Sequence, residues 1–218
     1  GDGGIDNTNA GTQTLTILSG AGNIGIGGKI GDTTALGNIA INATGSGTGD
    51  ITIAQIGKDN LTSGVTGTVS IGNTSTDLVD FDGRYFSMNG ALTVKSASGE
   101  KIKFTGTGAT TVITADDAIT FNTGDIQTAQ NLTINSAGGA IIIGNVYGSA
   151  TATTLTINAD STAGGADGDT SETVTIGAIG TDNEIGAVLI DAHDGITLTG
   201  DIALADAAGA DLNLDGPV

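Results

Sequence analysis

The sequence predicts an all-β fold, a parallel β-solenoid (β-helix) in which each coil contributes three short strands. Three observations lead to this prediction. The segment Asn131–Asn135 recurs 23 residues later as the near-copy Thr154–Asn158. Two further apolar runs, at 141–143 and 146–147, lie between the copies and are separated by small residues. Within the runs apolar residues alternate with Thr or Gly, which is typical of strands with one buried face, and a repeat of 20 to 50 residues is typical of solenoids.

The same pattern can be followed along the whole chain as strands A, B and C of successive coils, which between the two near-copies are A at Leu132 and Ile134, B at Ile141 and Ile143, and C at Val146. Strand A begins at Leu15, Ile39, Val69 and Leu92, which are 24, 30 and 23 residues apart. Later apolar runs begin at Val112, Ile119, Leu132, Ile141, Leu155, Val174, Val188, Ile196 and Leu212. Stacked at about 4.8 Å, about eight or nine coils would form a rod roughly 40 Å long. No helical periodicity is present, so almost no helix is expected.

An antiparallel sandwich is the structural alternative. Asn89-Gly90 and Asp82-Gly83 are dipeptides typical of tight hairpin turns. The short strands that recur in threes favour the solenoid instead. We expect residues 1–218 to form a single solenoid domain, in which residues 1–12 are flexible or contact another subunit and residues 77–90 form an atypical loop insertion.

Composition excludes several classes of function. The chain carries 24 acidic and 6 basic residues, a formal net charge of -18, so it would repel nucleic acids. It has no cysteine, which excludes thiol chemistry and disulfide bonds. No apolar run approaches the roughly 20 residues needed to span a bilayer, so no membrane span is expected. The 38 glycines with a single proline argue against collagen.

A polar residue follows the apolar run in several coils. These residues are Asn42, Asn135, Asn158 and Asp191. In a solenoid they would lie one above another at a corner, where side-chain amides can form a ladder. Asn is also common in turns for local reasons, so both interpretations stay open.

Two acidic segments are candidates for a calcium site. One contains Asp80 and Asp82, and the other contains Asp167, Asp169 and Glu172. Carboxylates that alternate with glycine on a loop suit a hard cation that prefers oxygen ligands. The alternative is that these are solvated loop tips. No cofactor is required by this interpretation, and Ca²⁺ is the one ion predicted.

Residues 78–88 concentrate unusual side chains for this chain. They are Phe81, Arg84, Tyr85, Phe86 and Met88. Aromatic residues together with Arg are enriched in interface hot spots, so this segment is a candidate interface. The alternative is that Phe81 and Phe86 pack against the coil beneath.

Enzymatic activity is not expected. His193, the one histidine, is followed by Asp194-Gly195, which indicates a turn, and no partner for it is close in sequence. The basic residues are few and scattered, and Trp is absent, so little is available for cleavage of acidic polysaccharides.

Three segments carry a resemblance to a known family. They are LTINSAGGAIIIGNVYG, AITFNTGDIQTAQNLTI and DGITLTGDIAL. They resemble the degenerate repeats of filamentous-haemagglutinin-like large exoproteins and autotransporter-type adhesins. The similarity is one of repeat style and covers most of the chain from about Leu15 to Leu214. It implies a right-handed parallel β-helix on a microbial surface.

The resulting hypothesis is a non-enzymatic extracellular structural protein: a stalk, a fibre, a self-assembling filament or a surface-layer subunit. Its expected partners are copies of itself, joined head to tail, or the rest of a larger surface protein. The first alternative is an adhesin segment that binds a host, matrix or glycan ligand through the 77–90 loop. The second is a β-helix enzyme active on polysaccharides.

Overall fold

The computed structural model describes residues 4–149, 153–160, 171–206 and 210–218, and it confirms a parallel β-solenoid. The described residues contain strands, turns and bridges and no helix. The strands are β1 (Thr14–Ile17), β2 (Ile24–Ile30), β3 (Asn38–Ile41), β4 (Ile51–Ile56), β5 (Val69–Ile71), β6 (Leu78–Phe81), β7 (Tyr85–Ser87), β8 (Leu92–Lys95), β9 (Lys101–Phe104), β10 (Thr110–Ile113), β11 (Ile119–Asn122), β12 (Asp125–Thr128), β13 (Leu132–Asn135), β14 (Ile141–Ile143), β15 (Val146–Gly148), β16 (Thr154–Asn158), β17 (Thr173–Ile176), β18 (Ala187–Asp191), β19 (Gly195–Leu198) and β20 (Leu212–Asp215).

The strands stack in three rows. Row 1 is an eight-stranded sheet in the order β1-β3-β5-β8-β11-β14-β17-β19. Row 2 contains β2, β4, β6, β9, β12 and β15, and the bridges of Val146 to Ile179 and of Ile179 to Ile202 extend it. Row 3 contains β7, β10, β13, β16, β18 and β20. Rows 2 and 3 form one twelve-stranded sheet, because β4 pairs with β6 through Ile51–Ile53 and with β7 through Ile56. Every strand pairing in the three rows is parallel, so the antiparallel sandwich is excluded.

Alternation within each strand places one set of side chains in the interior. In β13, Leu132 and Ile134 are buried while Thr133 and Asn135 are partly accessible. Ile and Val dominate the inward positions because β-branched side chains pack well on a pleated sheet. The buried side chains form one cluster that extends from Ile24 to Ile196. Burial of each large apolar side chain stabilises the fold by about 1.5–3 kcal/mol.

The repeat was predicted correctly, but the assignment of strands to rows was partly wrong. Leu132 pairs with Leu155, so the two near-copies are neighbours in row 3. The strands at Leu15 and Ile39 were predicted to be equivalent to them, yet they lie in row 1, the row that also contains the strand of Ile141. The physical reason is that strands of all three rows share the same apolar-Thr-apolar pattern, which does not distinguish one row from another.

Residues 77–90 are not a loop insertion. They contain β6 and β7, which pair in register with β9 and β10 of the following coil. The corners of the solenoid differ in length: nine residues (42–50) connect β3 to β4, whereas four (88–91) connect β7 to β8. The strands of successive coils stay in register on either side of both corners.

The N-terminal segment is attached to the first coils. The N–H of Ile5 donates to the carbonyl of Lys29 (2.9 Å), and Ile5 accepts from the N–H of Gly31 (2.8 Å). Among the residues that the structure describes, no helix is long and apolar enough to cross a membrane. The right-handed winding implied by the resemblance stays a prediction.

Candidate functional site

The outer face of row 1 carries a column of hydroxyl-bearing side chains. The middle outward position of its eight strands is occupied, in order, by Thr16, Ala40, Ser70, Thr93, Thr120, Ile142, Thr175 and Thr197. Parallel pairing brings these residues into one line because each pairs directly with the next. The column was not predicted, since the variable corner lengths hide it in the sequence.

Row 1 is almost free of charge. None of its strands contains an acidic residue, although the chain has 24, and Lys95 is the single basic residue in them. Lys95 makes no ion pair within the described residues. Charges are depleted from the centres of interfaces, so this face is suited to contact with another molecule.

A groove crosses the second, third and fourth strands of row 1. It encloses a volume of about 290 Å³, and its lining includes Ala40, Ser70, Gly72, Thr93 and Lys95. The small side chain of Ala40 leaves space that a larger residue would fill. The groove therefore presents hydroxyl groups and one ammonium group around a floor of small residues.

Hydrogen bonds fix one side of this groove. The side-chain amide of Asn38 donates to the Thr14 hydroxyl (3.3 Å), and its oxygen accepts from the Thr68 N–H (2.9 Å) and hydroxyl (3.2 Å). Asn38 thus connects β1 and β3 with Thr68, the residue that precedes β5.

Three of the four residues predicted for the polar ladder lie one above another, whereas hydrogen bonding between their side chains along the stack stays a prediction. Asn135, Asn158 and Asp191 pair on successive strands of row 3, and Asp215 extends the stack. The side-chain oxygens of Asn135 and Asn158 accept from the N–H groups of Ala137 and Asp160, both at 2.8 Å. Asn135 and Asn158 therefore cap local turns, as the alternative interpretation stated.

Asn42 was assigned to that ladder wrongly, because it follows a row 1 strand. It belongs to a different corner, where its side-chain amide donates to the Ser19 hydroxyl (3.1 Å) and its oxygen accepts from the Ser19 N–H (3.0 Å). Buried Asn73 stands on the next coil and donates to the carbonyls of Asn42 (2.8 Å) and Gly47 (3.2 Å). Asn42 has φ 45°, a left-handed conformation that Asn tolerates. Asn73 was not singled out from the sequence, where only its turn-rich surroundings marked it.

The first acidic segment places two carboxylates beside one hydroxyl. Thr105 donates to Asp80 at 2.8 Å and approaches Asp82 at 3.5 Å. Burial raises the pKa of Asp80 above its ordinary value, and the neighbouring Asp82 adds to this, while the Thr105 hydroxyl opposes it. Asp80 also faces Lys103 on the adjacent strand.

The second acidic segment is only partly described. Asp167 and Asp169 lie outside the described residues. Glu172 is fully buried, and its N–H donates to the Asp194 carboxylate (3.1 Å). The part of the chain that the structure describes contains no group of three or more His, Asp or Glu arranged to hold a metal ion. Calcium binding stays a prediction.

A second, acidic groove lies near the end of row 3. It encloses about 530 Å³ between Asp160, Asp191, His193 and Asp215. Desolvation raises the pKa of Asp191, and the like charges of Asp160, Asp215 and Glu172 raise it further. His193 is exposed beside these carboxylates.

The predicted interface at residues 78–88 is largely in the core. Phe81, Phe86 and Met88 are at most 1% exposed and cannot contact a partner. Phe81 contacts Phe86 edge to face at 4.8 Å. Phe81 and Phe86 pack inside the coils, as the alternative stated, and the interface prediction was wrong for them and for Met88. Aromatic residues are enriched both at interfaces and in cores, so their type alone does not distinguish the two. Arg84 and Tyr85 do reach the surface, where the guanidinium lies 5.4 Å from the ring centroid.

The outer face of row 2 is held by polar contacts among its own residues. Lys101 forms an ion pair with Asp125 (3.1 Å) and lies 4.9 Å from the ring centroid of Tyr147. Asn145 donates to the same carboxylate at 3.0 Å. Burial raises the pKa of Tyr147, and Asp125 and Asp182 add to the effect. These polar side chains of row 2 interact with one another, whereas the hydroxyl groups of the row 1 column do not.

Comparisons with protein-family models, curated proteins and solved structures found no match for this chain. The resemblance to exoprotein and adhesin repeats therefore stays a prediction.

Proposed function

We propose that this chain is a structural rod of a microbial surface, which acts as a stalk, a fibre segment or a surface-layer subunit without catalysing a reaction. The observation that carries the proposal is the continuous interior, in which one apolar cluster connects coils from Ile24 to Ile196. Three rows of parallel hydrogen-bonded strands surround it. Such a body resists bending, because deformation would separate close-packed side chains and break hydrogen bonds in all three rows together.

The outer surface supports an extracellular role. The net charge of -18 keeps rods apart in solution unless cations or specific contacts join them. The absence of cysteine makes the rod independent of the redox state of its surroundings. In the proposed assembly, rods join end to end, either as copies of this chain or as segments of a longer one.

The test is immunogold electron microscopy of unpermeabilised source cells, with an antibody raised against the 218-residue chain. We expect label outside the cell on fibres, stalks or an ordered layer. Label that appears only after permeabilisation would overturn the extracellular assignment. Label on particles that are dispersed in the medium and never part of a fibre or layer would overturn the structural assignment.

A pair of variants connects the assembly to the rod itself. The double variant F81A/F104A removes two stacked core rings and should abolish the labelled assemblies. Y85A removes a surface aromatic ring from the same region and should leave them unchanged. Assemblies that persist in F81A/F104A, with the purified variant unfolded by circular dichroism, would show that the rod does not build them.

A further inference from the structure

We propose that the outer face of row 1 binds ice, with its rows of hydroxyl and methyl groups meeting the water lattice at the crystal surface. This inference goes beyond the structural role and does not depend on it. The face consists of two parallel columns of outward side chains. The first is the hydroxyl column described above, and the second lies two residues earlier in each strand: Thr14, Asn38, Thr68, Ala91, Ala118, Ala140, Thr173 and Gly195.

The pairing of the strands gives this face a regular spacing in two directions. Adjacent strands lie about 4.8 Å apart, and successive outward positions of one strand lie about 7 Å apart. Both intervals are close to the repeats of the oxygen atoms on a prism plane of hexagonal ice. The register is unbroken through the eight strands of row 1, whereas the pairing of β2 with β4 shifts between Ile26 and Lys29. The row 1 face therefore keeps its spacing from β1 to β19.

The side chains of the two columns suit contact with a water lattice. Nine of the sixteen positions are Thr or Ser, and the others are Ala, Asn, Ile or Gly. A Thr hydroxyl donates and accepts hydrogen bonds, while the methyl group beside it restricts the orientation of neighbouring water. Thr93 and Thr120 are β-branched and stiff at χ1, so their groups keep fixed positions and lose little conformational entropy on contact.

The hydroxyl groups of the first column are available for this contact. Those of Ser70, Thr93 and Thr120 have no hydrogen-bond partner among the described residues, and all three side chains are accessible. Thr105 and Thr110, which lie outside row 1 or at its neighbours' corners, instead bond within the protein. The free hydroxyl groups therefore form a line on three adjacent strands.

The lack of charge distinguishes ice from a charged ligand. None of the sixteen positions is charged, although the chain has 24 acidic residues, and Lys95 lies outside the two columns at the end of β8. A charged group orients water around itself, and this arrangement does not fit an ice lattice. A charged ligand, in turn, would find no opposite charge in the two columns.

The outer face of row 3 is less suited to ice, although it also contains a line of threonines. Its middle column has Thr111, Thr133 and Thr156 on adjacent strands, but Tyr85 precedes them and Leu189 follows them. Carboxylates stand beside this column in the last two strands of the row. Bulky side chains and charges thus interrupt the face of row 3 and are absent from the two columns of row 1.

The dimensions of the row 1 face argue against a second protein as its ligand. Eight strands about 4.8 Å apart and two columns about 7 Å apart give an area of roughly 300–400 Å². A stable protein–protein interface buries about 800 Å² on each partner. The two columns are therefore too narrow to hold another copy of this chain, and self-association through them becomes an outcome of the test.

The experiment measures thermal hysteresis, the gap between the melting and freezing temperatures of a single ice crystal in a solution of the full chain. We expect a measurable gap, a faceted crystal and retention of the protein in slowly grown ice. T120Y should reduce the hysteresis about tenfold, because the ring holds the lattice away from the neighbouring hydroxyl groups. T93Y places the same obstacle on the adjacent strand and should give the same loss.

The matched control is T133Y, which makes the same substitution in the middle column of row 3. It should leave the hysteresis unchanged, and circular dichroism selects the variants at Thr93 and Thr120 that are folded like the parent chain. The proposal is overturned if the parent chain shows no hysteresis and is excluded from ice, or if T133Y loses as much activity as T120Y. It is also overturned if analytical ultracentrifugation shows a dimer that T120Y disrupts while ice is not bound, since the face would then join two copies.

Discussion

Phe81 and Phe104 stack inside the solenoid on adjacent strands, with ring centroids 5.0 Å apart and an interplanar angle of 12°. Both rings are fully buried, and Phe121 meets Phe104 edge to face at 5.9 Å. We expect F104A to lower the free energy of unfolding by about 3–5 kcal/mol, because the cavity would lie between coils that cannot collapse into it. Urea denaturation followed by circular dichroism measures this loss.

The control for F104A is Y85A, which removes an aromatic ring from the solvent side of β7. We expect its effect to be within about 1 kcal/mol. If the two variants lose equal stability, the rings of Phe81 and Phe104 do not contribute through close packing.

Acidification should relieve the desolvation of the Asp191 carboxylate and its repulsion by Asp160, Asp215 and Glu172. Its folded-state pKa is raised, so the ionised carboxylate destabilises the fold at neutral pH, and protonation becomes stabilising as the pH falls through the folded pKa toward the ordinary value of 3.8. We expect D191N to be more stable than the parent chain at pH 7 by a few tenths of a kcal/mol, because the group is largely solvated. The difference should disappear below about pH 3.8.

Thermal unfolding of D191N across this pH range tests the prediction at low salt, where screening is weakest. D117N is the control, since it removes one exposed carboxylate from a different corner. If both variants are stabilised equally, the gain in stability comes from the lower net charge of the chain and not from the local surroundings of Asp191 and Asp215.

Gly31 occupies a corner where a side chain cannot fit. Its φ is 69°, and a Cβ atom there would collide with the backbone of Gly64 on the next coil. We expect G31A to cost more than about 2 kcal/mol, because left-handed strain and a backbone clash add together. G25A is the matched control within β2, since a Cβ atom at Gly25 meets nothing within 4 Å. Chemical denaturation of both variants checks this, and a G31A protein as stable as G25A would contradict the corner geometry.

Asn73 should be the most sensitive of the corner amides. Its side chain satisfies the carbonyls of Asn42 and Gly47 in a buried position, so N73A would leave two acceptors without this donor. We expect a loss of about 1–3 kcal/mol. N213A, at an exposed position of β20, should be nearly neutral. Hydrogen exchange near residues 42–47 provides a second measurement, and unchanged protection there in N73A would count against the network.

The fold could be predicted from sequence because alternation and self-similarity are local properties. Leu132 and Leu155 begin near-identical segments, and they do pair in the structure. Row membership could not be predicted, because it depends on how many residues each corner uses. Asn42 was therefore placed with Asn135, although it belongs with Ser19 and Asn73.

The candidate sites show the same limit. Phe81 and Phe86 were identified as unusual, but composition does not tell whether an aromatic ring faces the lumen of a coil or the solvent. The row 1 groove could not be found from sequence, because Asn38, Ser70 and Lys95 come together only once their strands are known to be neighbours. The sequence does contain one signal, the lack of acidic residues in the eight row 1 strands. This signal can be recognised only after the strands have been assigned to rows.

The long corner at residues 42–50 has a practical consequence, because its residues 44–46 are exposed. We expect an insertion at 44–46 to lengthen the chain without changing which strands are neighbours. The molecule can thus be used as a scaffold for peptide display, with foreign epitopes grafted at corners and spaced along the axis at multiples of about 4.8 Å.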